Sequence, residues 1–188
     1  MQGVILDEFE RYSARTLGPE SVARMRELID APNGFQRETW YPDEVFDAQV
    51  AYYGNQTGRS APEILEDFAE AMVPGLLEVY GFVIDPNWTV LDFLENTEKI
   101  IHRGVRLYSP RARPPAIKAE RIAPDEVAII YNSPRRLCMV AKGIIRGAGT
   151  SYGADLELNE DRCMLRGDSE CYIRVRERAA AAPPPDPE

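Results

Sequence analysis

Histidine is almost absent from this chain: His102 is the only one in 188 residues. A metal site built on two or more histidines is therefore excluded. Any Ser-His-Asp or Cys-His device would have to use that one imidazole. No apolar run approaches the roughly 20 residues that span a bilayer. The opening Met1-Gln2-Gly3-Val4-Ile5-Leu6-Asp7-Glu8 turns acidic too early for a signal peptide, and glycine at position 3 rather than 2 misses the myristoylation pattern. Neither a Gly-rich phosphate loop nor a paired-carboxylate motif occurs, which argues for a binding protein over an enzyme. Basic residues are outnumbered, 22 Lys and Arg against 31 Asp and Glu, for a net charge of −9. That balance speaks against a nucleic-acid partner and against a polybasic membrane anchor. Three cysteines, an odd number, suit a reduced cytoplasmic protein better than a disulfide scaffold. What the chain does have is a 44% hydrophobic share, enough for the core of one domain of ordinary size.

The patterning predicts an α+β fold: a helical N-terminal part over about 1–110, then an antiparallel sheet with one inserted helix over about 115–178. Val4, Ile5, Phe9, Tyr12 and Leu17 recur at helical spacing before Gly18-Pro19, and Ser21 to Ile29 continues helical. Pro42-Asp43-Glu44 opens a helix to about Thr57, with two carboxylates at its positive end. Ser60-Ala61-Pro62-Glu63 starts another, which Pro74-Gly75 should kink or break, leaving a short helix from Leu76 to Tyr80. Thr89 to about Arg106 reads as one long helix. After Pro114-Pro115 the residues from Ile117 to Ile122 and from Glu126 to Tyr131 read as strands. Leu137 to Ile145 reads as a helix ending at Gly147 or Gly149, and Tyr152 to Leu158 and Cys171 to Val175 as two more strands. Residues 179–188, four alanines then prolines and acids, read as a disordered tail.

Two features carry chemistry only when combined. On an extended strand Tyr131, Ser133 and Arg135 point the same way, so two hydroxyls and a guanidinium fork form a carboxylate-binding comb. His102 lies late in an apolar helix. One histidine cannot complete a zinc site, but it suffices for a haem iron, because the porphyrin supplies the other in-plane ligands and brings two carboxylates.

Phe93-Leu94-Glu95-Asn96, His102, Pro114-Pro115 and Tyr131-x-Ser133-x-Arg135 fall in the order, and at about the spacing, of the haem nitric oxide/oxygen-binding (H-NOX) family. Gly3-Val4-Ile5 and Tyr41-Pro42-Asp43-Glu44 are similar to it too, so the chain resembles that family from about Met1 to Val175. One departure is local: Phe93-Leu94-Glu95-Asn96 stands one residue further from the histidine than in the family's pattern. Pro134 is also unusual inside the comb.

The resemblance implies haem b between the two parts, with His102 as proximal iron ligand and Tyr131, Ser133 and Arg135 on the propionates. Pro115 would press on and distort the macrocycle, and Ile5 and Phe9 would line the distal pocket. Oxygen-binding relatives place a tyrosine nine residues after the first comb residue; here that residue is Val140, with Met139, Ala141 and Ile144 apolar beside it. A nitric oxide (and carbon monoxide) sensor that excludes oxygen is therefore expected, unless Tyr80 or another polar group reaches the pocket. Nitric oxide weakens the bond trans to it, so release of His102 and relaxation of the haem would carry the signal. The output partner would be a separate protein, such as a histidine kinase or a cyclic-di-GMP enzyme.

The cysteines form a second constellation. A three-residue loop Arg166-Gly167-Asp168 would pair Leu165 with Ser169 and set Cys163 against Cys171, with Cys138 nearby. A subset of H-NOX proteins carries a cysteine-rich metal and redox site in this sheet. Here Glu160 or Asp161 stands where that subset has a histidine, so zinc with a carboxylate fourth ligand, a disulfide, or three small buried hydrophobes are the open readings. The segment from Cys163 to Val175 is also similar to V4R-type small-molecule-binding domains, in which His102 would be incidental.

Overall fold

The computed structural model describes residues 1–108 and 113–179. Expectations for 180–188, the bulk of the proposed tail, lie outside the described residues. Seven α-helices precede or interrupt four strands: α1 Gly3–Leu17, α2 Pro19–Leu28, α3 Asp43–Thr57, α4 Ala61–Tyr80, α5 Val90–Asn96, α6 Arg103–Tyr108 and α7 Cys138–Tyr152; β1 Ala116–Ala123, β2 Glu126–Asn132, β3 Leu156–Arg162 and β4 Cys171–Glu177. The strands form one antiparallel sheet in the order β1-β2-β4-β3. The expected α+β division is what is observed. Among the described residues no helix is long and apolar enough to cross a membrane.

Start signals act as local chemistry predicts. Glu63 accepts the Ser60 backbone N–H at 2.9 Å, and Asp92 accepts that of Thr89 at 2.9 Å, so α4 and α5 both open on reciprocal caps. Among the stop signals, Gly18 ends α1 after Leu17 as expected, but Pro74 and the α7 glycines do not act as stops. Proline removes the hydrogen bond to the carbonyl four residues back, yet α4 runs unbroken through Pro74 to Tyr80, and no separate helix begins at Leu76. The carbonyl that Pro74 leaves free is that of Glu70, and Gly147 of α7 lies directly against it: a Cβ built on Gly147 would stand 2.5 Å from the Glu70 oxygen. At Gly143 a Cβ would stand 2.1 Å from the Glu66 oxygen. These glycines therefore let two helix backbones touch; they do not cap α7, which continues to Tyr152.

Three further expectations are corrected. The stretch from Thr89 to Arg106 is α5, then a π-turn over Thr97–His102, then α6. The strand placed at Tyr152–Leu158 starts at Leu156 and reaches Arg162, because α7 claims Tyr152. Cys163 does not oppose Cys171 across a three-residue loop. The β3–β4 register shifts between Glu160 and Arg162, Arg162 pairs with Tyr172, and a 3-10 turn over Met164–Arg166 fills the connection.

The apolar interior falls into two clusters. One holds Leu6, Phe9, Phe46, Tyr53, Ile64, Phe68 and Met72 among the helices. The other packs Val90, Leu91, Phe93 and Leu94 of α5 on Val127, Ile129, Ile173 and Val175 of the sheet. Half-buried side chains between them, Leu137, Val140 and Ile144 against the first and Leu77, Ile101 and Ile117 against the second, border a space that neither cluster fills.

Candidate functional site

That space is a cavity of about 280 Å³ whose lining is overwhelmingly apolar. His102, Pro115, Tyr131, Ser133, Arg135, Ile5, Val140 and Ile144 all border it. Phe9 does not: it is fully buried one layer behind, ring-packed on Phe68 at 4.9 Å and Phe46 at 5.5 Å, and those two rings face the cavity instead.

His102 closes the π-turn and is only 15% exposed. Its Nδ1 lies 2.8 Å from Glu98 Oε2, while Arg106 donates to Glu98 Oε1 at 2.6 Å. Burial lowers the affinity of the ring for a second proton, and the carboxylate only partly offsets that. A neutral imidazole with Nδ1 engaged leaves Nε2 as the nitrogen able to ligate a metal. The π-turn falls between Asn96 and His102, the stretch where the resemblance implied one residue more than the family's pattern.

The comb is assembled differently from its extended-strand reading. β2 ends at Asn132, and Ser133-Pro134-Arg135-Arg136 is a turn closed by the Arg136 N–H to the Ser133 carbonyl at 3.0 Å. Proline at the second turn position bends the chain after Ser133, so Arg135 reaches the cavity from a turn and not from alternation along a strand. Burial pushes the Tyr131 hydroxyl up to about 12, which keeps it a donor. Arg135 Nε donates to Asp43 Oδ2 at 2.6 Å, and the Met1 α-amino group donates to Asp43 Oδ1 at 2.6 Å. Asp43 was legible only as a helix-start carboxylate; its reach across the cavity mouth to the sheet part had no sequence signal. Burial raises the Asp43 carboxyl, but Met1 and Arg135 outweigh it and hold it below its ordinary value.

Tyr80 and Gln2 border the cavity, and burial raises the Tyr80 hydroxyl's pKa while Gln2 beside it partly offsets that. Trp40 also borders it, and its buried Nε1–H has no partner. Sequence reasoning named Tyr80 and passed over Gln2 and Trp40.

The three thiols meet. Cys171 Sγ is 3.2 Å from Cys138 Sγ and 4.0 Å from Cys163 Sγ, and all three residues are buried. Two thiolates on one zinc, with Zn–S bonds of about 2.3 Å, stand about 3.8 Å apart in a tetrahedral site, so the spacing fits one ion. Burial pushes the Cys138 thiol up to about 12, with the neighbouring cysteines adding to it. Glu160 and Asp161 part company here. Asp161 is bound to Arg174 at 2.9 Å, whereas Glu160 lies beside Cys163 with Oε2 held by Lys142 at 3.3 Å and Arg166 at 3.2 Å and with Oε1 buried and unpaired among the described residues. Tyr131 pairs directly with Cys171 across β2 and β4, so the comb and the thiols share a strand register.

The family model for haem-NO-binding proteins matches residues 2–160. An H-NOX protein from Shewanella oneidensis, solved in the Fe(II)NO ligation state, superposes with a TM-score of 0.89 at 20% identity, covering 95% of this chain and 100% of that one. The unliganded Fe(II) H-NOX protein from K. algicida gives 0.85 at 18% identity over 97% and 99% of the two chains. The I5F mutant of T. tengcongensis H-NOX gives 0.83 at 17% identity over 97% and 100%. No curated protein matches the sequence.

Proposed function

The chain belongs to the haem-NO-binding family, and from that premise we propose that it is a haem-based sensor of nitric oxide and carbon monoxide that excludes oxygen. One observation carries the reading: the only histidine, held neutral by burial and with no Nε2 partner among the described residues, borders the same apolar cavity as Tyr131, Ser133 and Arg135. Haem b, when bound, supplies an iron with a position open to a diatomic gas.

The residues take distinct parts. His102 Nε2 holds the iron. Tyr131 and Ser133 donate to the propionates, and Arg135 adds a guanidinium fork that Asp43 already orients. Pro115 gives a stiff wall against which the ring bears. Val140 and Ile144 offer no hydrogen-bond donor on the α7 wall, and bound oxygen needs one where nitric oxide does not; Tyr80, Gln2 and Trp40 are the lining residues whose donors must stay clear of the gas for that selectivity to hold. Air exposure of the ferrous protein tests this by absorption: a Soret band with no stable oxygen form is expected, and a stable oxygen complex defeats the selectivity. Trp40→Phe then identifies whether its N–H is the donor responsible.

With haem bound, His102 would tie the π-turn and α6 to the iron, and a cytoplasmic partner that binds the tied and untied forms of that segment unequally would read the change. A histidine kinase or a cyclic-di-GMP enzyme fits that role. The thiol cluster is a second input: Cys138, Cys163 and Cys171 hold zinc, with Glu160 the carboxylate placed to complete the set, and thiol oxidation releases it. Zinc assay of the wild type against Cys163→Ala checks this; equal metal content in both, or none in either, rejects it.

A further inference from the structure

The Glu98–His102 pair has a chemical consequence beyond helix stability. A neutral imidazole carries one N–H, and which nitrogen carries it decides which nitrogen can ligate. Free histidine favours the proton on Nε2, the tautomer that cannot offer Nε2 to a metal. Glu98 Oε2 at 2.8 Å from Nδ1 reverses that preference, because a carboxylate accepts from Nδ1–H and repels a lone pair. Arg106 grips the other Glu98 oxygen at 2.6 Å, so the carboxylate is fixed in place. Glu98 and His102 belong to the same π-turn. Both side chains are half-buried, His102 15% and Glu98 29% exposed, so the bond is less screened than one on the open surface.

We propose that Glu98 is the positioning residue for His102: it fixes the tautomer that presents Nε2 to the cavity and, by drawing on the Nδ1 proton, makes the ring a stronger ligand that resists displacement by nitric oxide. This rests on His102 being the haem ligand. Carboxylates in such positions typically change metal affinity or activity by about 10- to 100-fold when removed. Glu98 therefore sets how much nitric oxide binding is needed before the helix is freed.

The single histidine makes the test direct, since labelling it with nitrogen-15 gives one imidazole in the spectrum. In the full chain before haem is added, the Nδ1–H tautomer is expected in the wild type and the Nε2–H tautomer in Glu98→Ala, with Glu98→Gln intermediate. In the ferrous haem-loaded chain, the iron–histidine stretch is expected to shift to lower frequency in Glu98→Ala and to be partly restored in Glu98→Gln. The His102-released fraction of the nitric oxide form should rise about tenfold. A wild-type Nε2–H tautomer, or an iron–histidine stretch unchanged in Glu98→Ala, overturns the proposal while leaving His102 as the ligand. A wild-type chain that takes up no haem overturns the sensor reading instead, and the tautomer still decides whether Glu98 orients the ring.

Discussion

Two helical walls of the same cavity are built on opposite principles. On one side α7 lies on α4 with backbones in contact at Gly143 and Gly147, and Arg146 clamps Glu66 at 2.9 Å. On the other, the His102 segment is a short α5, a π-turn with no buried residue and a six-residue α6 whose Leu107 is 73% exposed. Interiors packed at crystal density transmit strain and yield little, while loosely covered turns open at low cost. A sensor needs both: one wall that holds the pocket's shape and one that moves when its ligand lets go.

The sharpest way to break this comparison is to make the same substitution on each side. Gly143→Ala drives a Cβ to 2.1 Å from the Glu66 carbonyl and 2.7 Å from Ala69 Cβ. Neither backbone can retreat alone, so a loss of about 3 kcal/mol is expected, at the upper end of overpacking costs. Gly104→Ala meets only the Val83 side chain at 3.2 Å, which can shift, and gains about 1 kcal/mol of helix propensity. Its net effect should stay within about 1 kcal/mol of zero. Paired thermal melts check this, and equal losses would erase the distinction between the walls.

Next in size is local opening. Amides of the π-turn over Thr97–His102 should exchange at least about tenfold faster than those in the middle of α7, a difference of ~1.4 kcal/mol in opening free energy. Exchange measured by mass spectrometry on the full chain resolves the two segments. Asp92→Ala then probes what anchors the mobile wall. Asp92 accepts from Thr89 and from Arg121 NH2 at 2.8 Å, so its loss should cost about 1 kcal/mol and speed exchange in α5 before α7.

This contrast also explains what was legible in the sequence. Ser60-x-x-Glu63 and Thr89-x-x-Asp92 were readable because caps are local hydrogen-bond chemistry. His102, Pro115, Tyr131, Ser133 and Val140, singled out in the sequence from the family resemblance, all line one cavity. Pro74 and Gly147 end no helix because proline and glycine report only local cost, and here a second helix sets their role from outside, while Gly149 lies against Leu156 of β3. Arg135 was placed on the right cavity for the wrong reason, since Pro134 makes a turn where alternation was assumed. Cys163 and Cys171 meet, but through a shifted register that spacing alone does not encode.

The smallest expected effect lies where the two walls' supports join. Asp43, at the start of α3, binds Arg135 from the sheet part, so this ion pair is a strap across the cavity mouth. The Asp43 side chain is 43% exposed, and water screens the pair, so Asp43→Asn should cost less than about 1 kcal/mol at pH 7. The sign with pH follows from the depressed carboxyl. The folded state favours the charged form, so this stabilisation is fully present above the ordinary value of 3.8 and is lost as pH falls through the lower folded value. Wild type and Asp43→Asn should therefore differ in melting temperature at neutral pH, begin to approach each other below about pH 3.8 and converge only below the lower folded value. Were the gap to persist in acid, Asp43 would act by packing alone, and the strap would not be electrostatic. If haem carboxylates draw Arg135 away from Asp43, the gap should also narrow once haem is bound, which makes this small effect a direct report on how the mouth is shared.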